Sequence, residues 1–322
     1  MDDEAKIGLV AIGRNEGERL KSCLRSVPHG VPIVYVDSAS TDGSVDFARS
    51  IGARVVQLNL TMPFTAARAR NAGLEAILRH SPDLELIQFV DGDCELEPGW
   101  LTDAERFLSS RPTVGAVCGR RRERFPERSI YNEMCDAEWD TAIGKADACG
   151  GDAMFRAQAL AQVHGYDPAI IAGEEPELCF RLRGSGWEVW RIDSPMTIHD
   201  ADMHRARQWW MRAVRSGFGY AQVWQTTRGS NDRALYGRQV VSALGWTFGV
   251  ALIGIMLSIA FGPLGATSAP LLWLIQFARL SWRGGAIWGW HILIGKFAET
   301  LGILRFAAVR LMGKKQGAIF YK

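Results

Sequence analysis

No two of the six cysteines form a C-x-x-C pair; Cys23, Cys94, Cys118, Cys135, Cys149 and Cys179 lie far apart. That spacing argues against a zinc ribbon or a small disulfide scaffold and suits a reducing compartment. Neither G-x-G-x-x-G after a strand nor G-x-x-x-x-G-K-[ST] occurs, which removes dinucleotide-binding dehydrogenases and P-loop enzymes. Excess charge is missing too. Lys and Arg number 37 against 35 Asp and Glu, a net charge of +2 with no block of one sign, so no nucleic acid partner is expected. The opening "MDDEAKIGLV" is acidic and has no apolar stretch. No cleavable signal peptide is therefore expected, and the bulk of the chain is expected in the cytosol.

One absence is local. Between Val240 and Ala278, 39 residues, there is no charged side chain. The run divides at "FGPLGATSAP" (261–270), whose Gly and Pro residues form turns. Val240 to Ala260 is long enough to cross about 30 Å of hydrocarbon as a helix, and Leu264 to Leu280 sits at the short limit of about 17 residues. After it, Lys296, Glu299 and Arg305 lie in apolar surroundings, as in an interfacial amphipathic helix or a third span. The flanking Trp246, Trp273, Trp282, Trp288 and Trp290 favour a bilayer over a buried helical pair. Arg228, Arg233 and Arg238 precede the first segment and Arg279 and Arg283 follow the second. The positive-inside rule then makes 240–280 a hairpin with both ends cytosolic, and Lys314 and Lys315 a tail against an anionic leaflet.

Before that region the pattern alternates. Apolar runs "KIGLVAIG", "PIVYVD", "RVVQLNL" and "LELIQFVD" are separated by stretches with helical spacing, such as "NEGERLKSCLRSV" and "FTAARARNAGLEAILRH". This alternation predicts βαβ units and a mainly parallel sheet, which binds ligands outside the carboxyl ends of its strands. Two acidic stretches, "VDSASTDG" and "FVDGD", fall at such ends. Asp91 and Asp93, one residue apart on an extended backbone, can reach a hard cation through oxygen; they can also simply cap a turn.

Taken in order, these motifs resemble family 2 glycosyltransferases of the membrane-anchored bacterial type. Those enzymes use a GT-A nucleotide-sugar-binding domain and transfer with inversion. The resemblance covers roughly residues 7 to 225. It implies an α/β GT-A domain over 1–225, a connector over 226–239 and C-terminal membrane helices over 240–322. Within the last part, the hairpin spans about 240–280 and an amphipathic or third helix 284–312. "VDSASTDGS" is similar to the family's donor segment, which implies that Asp37 reads base and ribose; Ser38 stands where a second acid is usual. "AARARNAGL" resembles its Arg-Asn-x-Gly segment and implies Arg70 and Asn71 near ribose and phosphates, while "VDGD" matches the D-x-D motif. By that match Asp93 is the direct ligand of Mn²⁺ or Mg²⁺ and Asp91 lies nearer the ribose.

"CGGDAMFRAQALAQVHGYDPAIIAGEEPELCF" resembles the acceptor side and implies Gly150, Gly151 and Asp152 there. It also implies a general base at Glu175, with Glu174 a rival, although acids there stabilise any helix start. His199, ending an apparent strand over 190–199, matches a histidine that completes the metal or diphosphate site, with Asp202 and His204 nearby. Arg207, Arg212 and Arg215 suit either a leaving diphosphate or a membrane surface.

The implied activity is metal-dependent transfer from a nucleotide sugar to a hydroxyl of a saccharide, lipid-linked or at the cell surface. The inner membrane is the implied location, with the catalytic domain in the cytoplasm. Among rivals, a nucleotidyltransferase would carry a Gly-rich loop and a lysine after the first strand, and "AIGRNEGERL" has neither. A catalytically weak nucleotide-sugar-binding or scaffold protein of polysaccharide assembly would be expected to lose the acids at 91, 93, 174 and 175, and all four are present.

Overall fold

The computed structural model describes residues 6–59, 61–62, 64–230 and 233–313; Lys314 and Lys315 lie outside them. The chain forms two compact units, Met1–His204 and Arg205–Lys322.

The first unit follows the predicted alternation. Its elements are β1 (Ile7–Gly13), α1 (Glu18–Arg25), β2 (Ile33–Asp37), α2 (Ser44–Ser50), β3 (Arg54–Gln57), α3 (Ala66–His80), β4 (Leu86–Asp91) and β5 (Cys94–Leu96). Then come α4 (Trp100–Ser109), β6 (Val114–Glu123), α5 (Ile130–Trp139), β7 (Gly144–Lys145), β8 (Ala153–Arg156), α6 (Ala157–Gln162), α7 (Glu174–Gly184) and β9 (Glu188–His199). The sheet order is β3-β2-β1-β4-β8-β6-β9-β5, with β7 also on β9. Strands β3, β2, β1 and β4 are parallel, as alternating strands and helices require. Beyond β4 the sheet is mixed, because β8 runs antiparallel to both β4 and β6 while β6 and β9 run parallel.

This order positions the site. The chain leaves β1 towards β3 and returns to β4 on the other side of β1, which makes a switch point between β1 and β4. Gly13 pairs with Asp37, Ile12 with Asp91, and Glu123 with His199, so β1, β2, β4, β6 and β9 all end along one edge. The reversed β8 begins there, directly after Asp152.

Packing beneath the edge is dense. Phe89, Phe155 and Tyr166 form an edge-to-face trio with centroids 5.4 to 6.4 Å apart. Gln88, buried inside an otherwise apolar strand, is satisfied by the indole N–H of Trp100 at 2.8 Å. One local expectation is corrected: Asp91 and Asp93 do not share an extended backbone. Gly92 and Asp93 form a turn between β4 and β5.

The second unit is helical: α8 (Ala206–Thr227), α9 (Gly237–Leu244), α10 (Val250–Phe261), α11 (Pro263–Ala266), α12 (Ser268–Gly284) and α13 (Ala286–Leu311). A π turn at Gly245–Gly249 joins α9 to α10 without a break. Among the described residues, this one continuous helix, Gly237–Phe261, 25 residues, is long and apolar enough to cross a membrane. Large side chains on it and beyond, including Ile255, Met256, Ile259, Leu264 and Leu274, are exposed. On α13, Lys296 and Glu299 neutralise each other at 2.8 Å. The units part at His204, earlier than the expected boundary at 225, because α8 packs along α13.

That α8–α13 packing requires glycine. A Cβ on Gly217 would lie 2.0 Å from the Glu299 carbonyl oxygen, and one on Gly302 2.1 Å from that of Val214. Both obstacles are backbone, so the helices themselves would have to separate. In an unencumbered helix Gly→Ala stabilises by about 1 kcal/mol. Gly217→Ala is expected to lower the melting temperature in detergent, whereas Gly184→Ala, which meets nothing within 4 Å, should leave it unchanged or raise it. A Gly217→Ala protein as stable as the parent would refute this packing.

Candidate active site

At the edge where the strands end, Arg70 of α3 is buried and reaches three acids. Its Nη2 lies 2.8 Å from Asp91 Oδ1, and its Nη1 lies 3.0 Å from Glu174 Oε1 and 2.7 Å from Glu175 Oε1. The guanidinium also covers the Tyr166 ring at 5.5 Å. A second arginine, Arg121 of β6, lies 3.7 Å from Asp91 Oδ2 and 3.6 Å from Asp152 Oδ2, and it covers Trp139 at 4.7 Å. On the other side of the turn, Asp93 Oδ2 is 3.3 Å from His199 Nε2, and Glu123 Oε2 is 3.3 Å from His199 Nδ1.

The electrostatics are lopsided. Among the described residues, Arg70 and Arg121 pair with Asp91, Asp152, Glu174 and Glu175, while His199 stands between Asp93 and Glu123. Burial and the neighbouring Glu174 push the Glu175 carboxyl up to about 7, although Arg70 opposes the shift. Its side chain is 13% exposed against 4% for Glu174, so Glu175 is the more reachable of the pair.

This donor set fits a divalent cation. Asp93, Cys94 and His199 bring ligand atoms within 4.8 Å of one another, as do Asp91, Cys94 and Asp152. Burial pushes the Cys94 thiol well up, with Asp152, Asp93 and Asp91 adding to the effect against Arg121, so it is a poor ligand. Asp152 is spent elsewhere. Asp93 and His199 remain, a carboxylate and an imidazole beside a cluster of further acids.

Several expected contacts take another form. Asp37 is 1% exposed, and its oxygens accept hydrogen bonds from Tyr35 Oη and from the amides of Ala39 and Ser40. It therefore shapes the turn after β2 rather than presenting a free carboxylate to a base. Asn71 donates to the Tyr166 carbonyl at 2.7 Å and accepts from the Tyr166 amide at 2.9 Å, fixing a neighbouring segment instead of facing a ribose. Arg70 is enclosed by acids rather than open to phosphates. Asp152, expected towards the acceptor, is fully buried; it accepts from the Asp91 amide at 2.9 Å and from Thr197 Oγ1 at 2.7 Å, bracing β4 against β9. Gly151 lies against the acid cluster, where a Cβ would come 2.6 Å from Arg70 Nη2, while Gly150 stands in open space. Asp202 and His204 pair with each other at 3.1 Å, exposed, and Arg207, Arg212 and Arg215 lie on α8 in the second unit.

The sequence reading missed Arg121 and Glu123. The available signal was "GRRRER", four arginines closing an apolar strand. The same segment accounts for two surplus acids, since Arg124 pairs with Glu95 and Arg122 with Glu97. Nearby, the loops after β1 and β2 interlock: the Asn15 amide donates to Ser40 Oγ, the Thr41 amide to Asn15 Oδ1 and the Gly17 amide to Asp42 Oδ2. Asn15 (φ 55°) and Ala39 (φ 70°) take left-handed conformations there, the strain that clusters at functional edges.

Residues 10–162 match the family model described as Glycosyl transferase family 2. The succinoglycan biosynthesis protein ExoA of Rhizobium meliloti (strain 1021) is 26% identical over 191 residues. That match spans 56% of this chain and 57% of ExoA, so only a little over half of the relative's length is covered. Among solved structures, the mannosyltransferase PcManGT from Pyrobaculum calidifontis, in complex with GDP-Man and Mn²⁺, superposes with a TM-score of 0.64 at 19% identity. It covers 93% of this chain and 87% of its own. The S. aureus TarS fragment 1–349 gives a TM-score of 0.55 at 12% identity, covering 96% and 92%. The fold is the GT-A-like α/β arrangement with a mostly parallel central sheet, followed by helices.

Arg70 is the test of this geometry. Arg70→Met removes a guanidinium shared by three acids while keeping bulk, and breaking a buried pair costs about 3–5 kcal/mol. Chemical denaturation at pH 8 should show that loss, reduced at pH 5, where the Glu175 carboxyl is protonated and no longer needs the cation. A loss independent of pH would mean that Arg70 acts through packing alone.

Proposed function

We propose, from the match of residues 10–162 to the glycosyltransferase family 2 model, that the chain is an inverting, metal-dependent glycosyltransferase. It moves a sugar from a nucleotide-sugar donor to a hydroxyl of a saccharide acceptor, lipid-linked or at the cell surface. The observation that carries this reading is the single guanidinium that holds both the first D-x-D acid, Asp91, and the acid pair Glu174–Glu175. A donor end and a base end are thus fixed to each other.

In this mechanism Glu175 accepts the proton of the attacking hydroxyl. A carboxyl near 7 suits that task, since a general base works best when its pKa lies close to the working pH. Asp93 and His199 would hold Mn²⁺ or Mg²⁺, which when bound neutralises charge on the departing nucleoside diphosphate. Asp91, braced by Arg70 and Arg121, faces the donor with the largest exposure of the cluster. The GDP-Man and Mn²⁺ of the mannosyltransferase neighbour support a nucleotide sugar and a divalent cation here, and ExoA supports a place in polysaccharide assembly.

The apolar helix Gly237–Phe261 supports anchoring in the cell inner membrane, with the catalytic domain on the cytoplasmic side, where nucleotide sugars are made. Such an anchor suits an acceptor that is itself held in lipid.

Glu175→Gln should leave donor affinity nearly unchanged and lower transfer at least about a hundredfold. In the parent enzyme kcat/KM should rise with pH through about 7. Because the folded carboxyl sits above its ordinary value, its contribution to stability is full at low pH and is lost as pH rises through about 7. Glu175→Gln should therefore be the more heat-stable protein at pH 8. If Glu174→Gln shows the selective loss of transfer instead, the base lies one residue earlier.

A further inference from the structure

His199 is held between two carboxylates, and only one of them belongs to the D-x-D turn. The ring stands where three strands meet: β9 places His199 opposite Glu123 of β6 on one side and opposite Cys94 of β5, next to Asp93, on the other. Glu123 is almost fully buried, yet nothing in the proposed chemistry uses it. We infer that Glu123 is a positioning residue that keeps the proton of His199 on Nδ1, so that the Nε2 lone pair is turned towards Asp93. The inference rests on the reading of Asp93 and His199 as the pair that holds the cation.

Oε1 of Glu123 accepts from Asn132 Nδ2 at 3.3 Å and from the Phe125 amide at 3.4 Å, and Oε2 accepts from the Ala201 amide at 3.1 Å. The Asn132 amide cannot reverse, because its Oδ1 accepts from the Met203 amide at 3.1 Å while its Nδ2 donates to the Phe125 carbonyl at 3.0 Å. Every fixed partner of Glu123 is thus a donor, an environment that suits a carboxylate and would leave the NH₂ of an amide without an acceptor. The remaining contact, His199 Nδ1 at 3.3 Å from Oε2, must then also be a donor. In the neutral ring, which carries one N–H, Nε2, 3.3 Å from Asp93 Oδ2, then keeps its lone pair. Trp139 packs edge-to-face with the ring, centroids 4.7 Å apart. A carboxylate behind a metal-binding imidazole fixes tautomer and direction in this way, and its removal costs about 10–100-fold in metal affinity.

The experiment reads the tautomer directly. Full-length protein labelled with ¹⁵N-histidine in detergent, at pH 8, should show His199 with the proton on Nδ1, the signal being assigned by its loss in His199→Gln. This measurement needs no variant at Glu123, so misfolding cannot hide the answer. Glu123→Gln should then shift the signal away from the Nδ1–H form, and free Mn²⁺ measured by electron paramagnetic resonance should show affinity down about 10–100-fold. A parent protein with the proton on Nε2, or a folded Glu123→Gln protein with unchanged tautomer and Mn²⁺ affinity, would overturn the inference. If the parent shows the Nδ1–H form but takes up no Mn²⁺, the hold of Glu123 on the ring stands and the metal reading of the site fails.

Discussion

A buried guanidinium shared among three carboxylates is the constraint on which the site depends. Arg70 places its charge between Glu174 and Glu175 at the start of α7 and Asp91 at the end of β4, offsetting the repulsion among the three. Like charges this close in a poorly hydrated place cannot all ionise, and the pair answers by raising Glu175 to about 7. The helix start and the end of β4, far apart in the chain, are thus joined by electrostatics more than by apolar contact.

Topology supplies the rest. The switch between β1 and β4 opens the edge, and β8 returns antiparallel, so that Gly151 and Asp152 meet the D-x-D turn from the opposite direction. Strands β6 and β9 then add Arg121, Glu123 and His199. Arg70 and Arg121 together hold Asp91 from two sides, while Glu123 and Asp93 hold His199 from two sides. Even so the acids outnumber the cations, a deficit that a divalent ion or a cationic transition state would offset.

Much of this was legible in the chain, and the parts that were not have physical reasons. The parallel half of the sheet follows from the spacing of apolar runs, and the acids at 91, 93, 174 and 175 are visible as charge that no core would accept. Glu123 and Arg121 were hidden because their direction depends on irregularities in the β6–β9 pairing, between Cys118 and Arg120 and again between Arg120 and Arg121. Without those bulges a run of arginines reads as a solvated edge. Asp37, Asn71 and Asp152 were visible as polar residues near the edge, but sequence does not show that backbone amides and hydroxyls already occupy them. The same limit applies to Gly92 and Asp93, where a turn replaces the extended backbone that the D-x-D spacing suggested. In the second unit the uncharged run gave the apolar helix directly, while the glycine contacts of α8 with α13 have no signature in hydropathy.

The central claim is that the clustered acids at this edge take a divalent cation together with a nucleoside diphosphate. Thermal shift of the parent protein and of Asp93→Ala, each with GDP or UDP, with Mn²⁺, and with both, tests it most directly. A ligand at a hundred times its Kd stabilises by about 2.7 kcal/mol. The account predicts such a rise for one nucleotide with Mn²⁺ in the parent, little with either alone, and its loss in an otherwise normally folded Asp93→Ala protein. An equal rise in Asp93→Ala, or a nucleotide shift that ignores Mn²⁺, would contradict it.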